Sequence, residues 1–162
     1  MERVTKHNYY LDIAQTVAER STCLRKMFGA IIVKNDVIMS TGYNGAPRGR
    51  KNCSDLCECM RDKLQIPRGE RYELCRSVHA EANAIIAASR EQMLGATLYM
   101  TCVDSKTRRL VAGTNSCMMC KRQVLNAGIS TVIIRDNATE YRIIQTSDWI
   151  ENDDSLSGIF GY

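Results

Sequence analysis

Val78-His79-Ala80-Glu81-Ala82-Asn83-Ala84-Ile85 decides how the chain is read, taken together with Cys117-Met118-Met119-Cys120 further on. His79, Cys117 and Cys120 are ligand types for Zn²⁺, whereas Glu81 is out of place in a Cys/His ligand set and well suited to moving protons. A structural zinc closes its shell with four protein ligands; a catalytic one keeps three and leaves the fourth position to water. Three ligands and a carboxylate therefore point to a hydrolytic centre holding one catalytic Zn²⁺.

The local pattern places these residues at helix starts. Ala82, Ile85, Ile86 and Ser89 continue one face of a helix predicted over 78–91, which puts His79 and Glu81 in its first turn. Residues two apart do not share a face in mid-helix, but at a helix end their side chains can converge. Cys117 and Cys120, three apart, do share a face, at the start of a helix predicted over 117–127 with Gly128 as its stop. Two helix N-termini aimed at one point would stabilise thiolates and a bound hydroxide.

Outward from this centre, Tyr10, Ile13, Ala14, Val17 and Ala18 predict an amphipathic helix over 7–20. Gly29–Val33 and Val37–Thr41 flank Lys34-Asn35-Asp36 as a hairpin, closed by the turn formers of 42–47. Residues 48–77 read as a long loop with a short helix over 55–64, and a connection of that length needs something to fix it, a metal clip in the first instance. Strands are predicted over 96–101, 129–135 and 141–145. Residues 102–116 form an excursion, with a turn at 104–107 and a return strand at 110–112, and no element is predicted beyond 149. The order α, β, β, loop, α, β, α, β implies a three-layer α/β/α domain with a mixed central sheet, a single unit over 1–162.

Composition narrows the function classes. The 162 residues are 44% hydrophobic and 25% charged, enough for an ordinary core. A net charge of +4 is too mild to argue for a nucleic-acid binder, and the basic clusters at Arg48, Arg50, Lys51 and Lys106, Arg108, Arg109 read as solvated loops compatible with a phosphate-bearing small molecule. Neither a secretory signal nor a run of about 18 apolar residues is evident, so a cytoplasmic protein without membrane contact is expected. In a reducing compartment the eight cysteines are read as metal ligands before disulfides, and His7 and His79 are the only imidazoles that could join them.

The pattern resembles the zinc-dependent cytidine deaminase superfamily, with its H-x-E and P-C-x-x-C signature. Within it the likeness is to the deoxycytidylate (dCMP) deaminase branch. It runs through Ser21-Thr22-Cys23, Gly29–Val33, Thr41-Gly42-Tyr43-Asn44-Gly45, Asn52-Cys53, 78–85 and Cys117–Cys120, then Asn126-Ala127-Gly128-Ile129. Ser116 departs from the signature proline, and the 102–116 excursion is longer than the usual link, which bears on the pocket rim.

The resemblance implies hydrolytic deamination of dCMP to dUMP, with dCTP activating and dTTP inhibiting, in a homo-oligomer, commonly a hexamer. It implies Glu81 as proton carrier, Asn44 on the sugar hydroxyl, and Arg90 at a nucleotide-effector position; Arg25 and Lys26 are candidates for the 5′-phosphate. It also implies a second, structural Zn²⁺. Cys23 and Cys53 match two of its ligand positions, Cys59 and Cys75 would complete the set, and Cys57 competes with Cys59. Cys75 lies just before His79, so such an ion would anchor the segment that delivers the catalytic ligand, while Cys102 reads as an ordinary buried cysteine. Two alternatives stay open: a deaminase of another base or nucleotide (tRNA adenosine, guanine or cytidine), and a non-catalytic zinc module that binds nucleic acid.

Overall fold

The structure is a computed structural model that describes residues 1–158; residues 159–162, the end of the tail for which no element is predicted, lie outside it. Its elements follow the chain as helix α1 (Lys6–Ala18), strands β1 (Lys26–Lys34) and β2 (Val37–Tyr43), helices α2 (Cys53–Leu56), α3 (Met60–Lys63), α4 (Ala80–Ile86) and α5 (Arg90–Met93), strand β3 (Thr97–Asp104), helix α6 (Met118–Ala127), strands β4 (Thr131–Arg135) and β5 (Tyr141–Gln145), and helix α7 (Thr146–Glu151). Five strands form one sheet in the order β2-β1-β3-β4-β5. Only the β3–β4 pair is parallel, because α6 crosses between those two strands; the sheet is therefore mixed.

Alternation along the central strands sorts side chains into two cores. Ile31, Val33, Tyr99 and Ile133 meet Tyr10, Leu11 and Ala14 of α1 on one face. Ala30, Ile32, Leu98, Met100, Val132 and Ile134 meet Ala80 and Ala84 of α4 and Val124 and Ala127 of α6 on the other. This is the expected three-layer arrangement. The hairpin turn has Asn35 at φ 51° and Asp36 at φ 63°, two consecutive left-handed residues of the kind a tight antiparallel connection requires. Tyr10 Oη donates to Asp36 Oδ1 at 2.6 Å and so ties that turn to α1.

Several elements differ from the sequence reading. The helix expected over 78–91 ends at Ile86, because Ser89 starts a new helix: its Oγ accepts from Gln92 N (3.2 Å) while the Gln92 side chain accepts from Ser89 N (2.8 Å). The single helix expected over 55–64 is two short ones, separated where Cys57 turns left-handed at φ 51°. Strand β3 runs on to Asp104 because β1 pairs with it over its whole length, and the return strand reduces to one bridge, Val103 to Leu110. Helix α7 was not anticipated.

The strand registers gather the functional end of the molecule. Lys26 at the start of β1 lies opposite Asp104 at the end of β3, and β2 ends at Tyr43, so one sheet end collects all three. A bridge between Gly45 and Val78 then docks the segment entering α4 against the chain leaving β2. Asn44 and His79 consequently line one cavity.

Candidate metal centre

His79 is the N-cap of α4, with an extended backbone at φ −71° and ψ 156°, and lies outside the helix. That position is why a residue only two before Glu81 can face the same space. Cys117 caps α6 in the same way, and its Sγ accepts from Cys120 N at 3.4 Å. His79 Nδ1 stands 3.5 Å from Cys117 Sγ and 3.4 Å from Cys120 Sγ, and the three donor atoms all lie within 4.8 Å of one another. Among the described residues no other group of His, Cys, Asp and Glu converges so closely.

One imidazole nitrogen and two sulfurs match the donor preference of zinc, and the set is short of the four ligands of a structural site. The protonation pattern fits as well. The Cys120 thiol donates to Cys117, whose pKa falls to about 4 despite burial; Cys120 is correspondingly pushed up, so the pair shares one proton. Burial acts to lower the His79 pKa, but the Cys117 and Cys75 sulfurs and the Glu81 carboxylate outweigh it and push it up to about 10. A cation at this point would replace those protons.

The donor set opens on a cavity of about 140 Å³ lined also by Glu81, Asn44, Arg25, Lys26 and Thr114. Glu81, in the first turn of α4, is 4% exposed. Burial raises its pKa, opposed by His79 and aided by the charge on Cys117, so its carboxyl keeps a proton to higher pH than an exposed glutamate. Ser116, in place of the signature proline, lies beside that carboxyl, and its own N–H donates to Asn115 Oδ1 at 2.8 Å, a bond that proline could not make.

The other residues singled out from sequence fall in three places. Asn44 is buried in the cavity wall and tightly held: its Oδ1 accepts from Ser21 Oγ (2.6 Å) and Phe28 N (2.8 Å), and its Nδ2 donates to Lys26 O (2.9 Å). One amide hydrogen remains for a ligand. Arg25 and Lys26 line the same cavity, with Arg25 Nε 3.5 Å from Asp62 Oδ1. Arg90 lies elsewhere, in a groove between α4 and α6, and donates from Nη1 to Asn126 O at 2.7 Å.

Cys23, Cys59 and Cys75 each add to the burial that raises the Cys53 pKa, so these four thiols share one neighbourhood without converging as the first group does. Cys57 is exposed, and its thiol donates to Ser54 O at 3.5 Å. Cys75 also touches His79, joining the two groups. Cys102 is fully buried in β3, and burial pushes its thiol up to about 12.

Sequence reasoning missed the cavity wall supplied by the long loop. Arg61, Arg68 and Tyr72 line it. Tyr72 packs edge-on against the His79 ring at 5.0 Å and receives the Arg61 guanidinium on its face at 4.4 Å. Arg61 is 5% exposed and donates to Glu70 O (2.5 Å) and Pro67 O (2.8 Å), fixing the loop from within. The cysteine spacing was the one available signal, since a metal clip there would fasten the loop at its ends without saying which residues turn inward.

Fold and site together define an α/β/α domain with a three-donor metal pocket and a buried carboxylate beside it. The chain belongs to the cytidine and deoxycytidylate deaminase zinc-binding family, whose description matches residues 4–135. It is 36% identical to a deoxycytidylate deaminase of Mycobacterium phage D29 over 82% of this chain and 96% of that one. A deoxycytidylate deaminase of Schizosaccharomyces pombe is 30% identical over 78% of this chain, which spans only 35% of that longer protein. The apo crystal structure of dCMP deaminase from cyanophage S-TIM5 superimposes with a TM-score of 0.58 at 25% identity, covering 84% of this chain and 86% of the other.

Proposed function

We propose that this chain deaminates dCMP to dUMP, releasing ammonia. The observation that carries the reading is the lining of one cavity, which combines His79, Cys117 and Glu81, with Cys120 completing the donor set, and the cationic Arg25, Lys26, Arg61 and Arg68. A ligand matching both carries a reactive heterocycle and an anion, as a nucleoside monophosphate does. Family membership and the 36% identical phage deoxycytidylate deaminase support the pyrimidine nucleotide over other amino-bearing bases.

His79, Cys117 and Cys120 would hold the catalytic zinc, which supplies a water that gives up its proton near neutral pH. Glu81 would carry that proton to the ring nitrogen as the water oxygen bonds to the ring carbon, then carry the remaining proton of the new C–OH group to the amino group, which leaves as ammonia as its C–N bond breaks. Its burial suits both halves of the task, because a raised pKa makes the carboxyl a workable acid as well as a base. Asn44, held by three hydrogen bonds, offers its remaining amide hydrogen to the sugar hydroxyl. Arg25 and Lys26 take the phosphate, backed by Arg68.

A second zinc on Cys23, Cys53, Cys59 and Cys75 is supported by their common neighbourhood and by the outward turn of Cys57. The groove where Arg90 and Arg122 stand together is the site for nucleotide effectors such as dCTP and dTTP, and the exposed Ile86 and Leu94 near it suit a subunit interface in a homo-oligomer, a hexamer by family expectation. No helix among the described residues is long and apolar enough to cross a membrane.

The test is product analysis with dCMP, CMP, cytidine, guanine and tRNA as substrates. Preferred conversion of dCMP, accelerated by dCTP and slowed by dTTP, is the expected outcome. Ammonia released from guanine or tRNA but not from dCMP would overturn the assignment.

A further inference from the structure

His79 reaches the metal pocket from outside its helix. Its backbone is fixed by the Gly45–Val78 bridge just before it and by its own carbonyl, which accepts from Asn83 N at 3.0 Å. The ring is not fixed by that. A half turn about its Cβ–Cγ bond would put a carbon where Nδ1 now faces Cys117 Sγ and Cys120 Sγ. Imidazoles that hold a metal are ordinarily kept in orientation by a partner outside the ligand set, and two groups stand against this ring from there, Cys75 and Tyr72. Tyr72 is the one with a support built behind it. Its ring lies at 86° to the His79 plane with centroids 5.0 Å apart, a favourable aromatic contact, and its own face carries the Arg61 guanidinium at 4.4 Å. Arg61 is buried, and among the described residues no carboxylate pairs with it. Its charge is met instead by Glu70 O (2.5 Å) and Pro67 O (2.8 Å), carbonyls of the turn that leads into Tyr72, so one guanidinium ties that turn and the ring together.

We propose that Tyr72 is a positioning residue, whose ring holds the His79 imidazole with Nδ1 toward the two cysteine sulfurs. The inference rests on the reading of His79, Cys117 and Cys120 as a metal site. Removing the ring leaves all three donors in the chain and loosens the orientation of one of them. The effect therefore reads out in metal affinity and in the geometry around the bound ion, before any substrate is added. Through this contact the long loop acts on the donor set directly, by way of a half-buried side chain in a single turn of helix.

The experiment compares wild type, Tyr72→Phe and Tyr72→Leu as full-length protein loaded with Co²⁺, whose absorption bands report the number and arrangement of its ligands. The signal of the His79 site is taken as the difference from Cys117→Ser, and competition with a chelator gives its affinity. The expected result is that Tyr72→Phe, which keeps the ring, retains the wild-type bands and affinity. Tyr72→Leu binds Co²⁺ at this site about tenfold or more weakly, with altered ligand-field bands. Wild-type bands and affinity in Tyr72→Leu would overturn the proposal and leave Cys75 as the orienting group. A loss shared equally by Tyr72→Phe would move the effect to the hydroxyl, and weaker binding with unaltered bands would mark a merely structural role; either result overturns it as well. A wild-type chain that takes up no Co²⁺ at His79, Cys117 and Cys120 would sink the metal site and this inference together, whereas a loaded wild type with an unmoved Tyr72→Leu sinks the inference alone.

Discussion

Glu81 shows how a single residue acquires a chemical role from its surroundings. The same carboxyl on an exposed helix start would be ionised and solvated; here, 4% exposed between Cys117 and Ser116, it has a raised pKa and a place at the cavity wall. Replacing it by glutamine keeps volume and polarity and removes the proton-carrying function proposed for it. Glu81→Gln is expected to lower kcat by about 10²- to 10⁴-fold while zinc content is retained, measured by steady-state kinetics alongside elemental analysis. Parallel loss of zinc and activity would instead make Glu81 part of the metal site. His79, Glu81, Cys117 and Cys120 were legible in the sequence because each pair lies in one short motif at a helix start, where spacing nearly fixes geometry. Arg61, Arg68, Tyr72 and Thr114 were not: Arg61 and Tyr72 sit in single short turns of helix and Arg68 and Thr114 in irregular chain, so which of them face inward is selected by the path of the chain and not by any period.

At the scale of elements, the position of α4 on the sheet decides whether the donors meet. Gly42 in β2 is the contact point: a Cβ there would lie 2.3 Å from Ala80 O and 2.4 Å from Ala84 N, and both are backbone atoms of the helix that begins beside His79. Neither can yield as a flexible side chain would. Gly42→Ala should therefore lift the start of α4, costing about 1–3 kcal/mol of stability and weakening zinc binding further than a general loosening would. Urea denaturation with a zinc titration of the folded fraction checks this; a destabilised variant with normal zinc affinity would show that α4 does not set the donor spacing. Sequence gave this helix its place and its start but not its length, since the Ser89 capping box competes with helix continuation and wins. At the far end of the sheet, Arg142 joins Asp136 Oδ2 (2.8 Å) to Thr114 O, which braces the excursion against β5. Its hydrogen bond holds the Asp136 carboxyl below the ordinary aspartate range. A brace between a strand and a distant loop leaves no local pattern to read.

For the whole molecule, the hydrophobic runs were sufficient to derive the layers, because strands buried on both faces demand helices on both sides. What they could not supply is the order of neighbours around the site, which comes from the Gly45–Val78 bridge and the registers of β1 with β2 and β3. The long loop is the part held least by the core: apart from Cys53 and Arg61 its side chains are largely exposed or half-buried, and the hydrogen bonds of Arg61 and Arg76 are its fastenings. Binding to the native state alone stabilises it, so an ion on Cys23, Cys53, Cys59 and Cys75 would contribute to the whole fold and most to this loop. Chelation is accordingly expected to lower the melting temperature and to open the loop to trypsin at Lys63, Arg68 and Arg71 before the sheet is cut, read by mass spectrometry of the fragments. Cys59→Ser should reproduce that cleavage pattern in the presence of zinc and bind one ion fewer per chain, whereas Cys57→Ser should behave as wild type, because the Cys57 thiol already turns away to Ser54 O. The reverse result would exchange the two ligands, and a chain that keeps its full metal content in both variants would remove the second ion from the fold altogether.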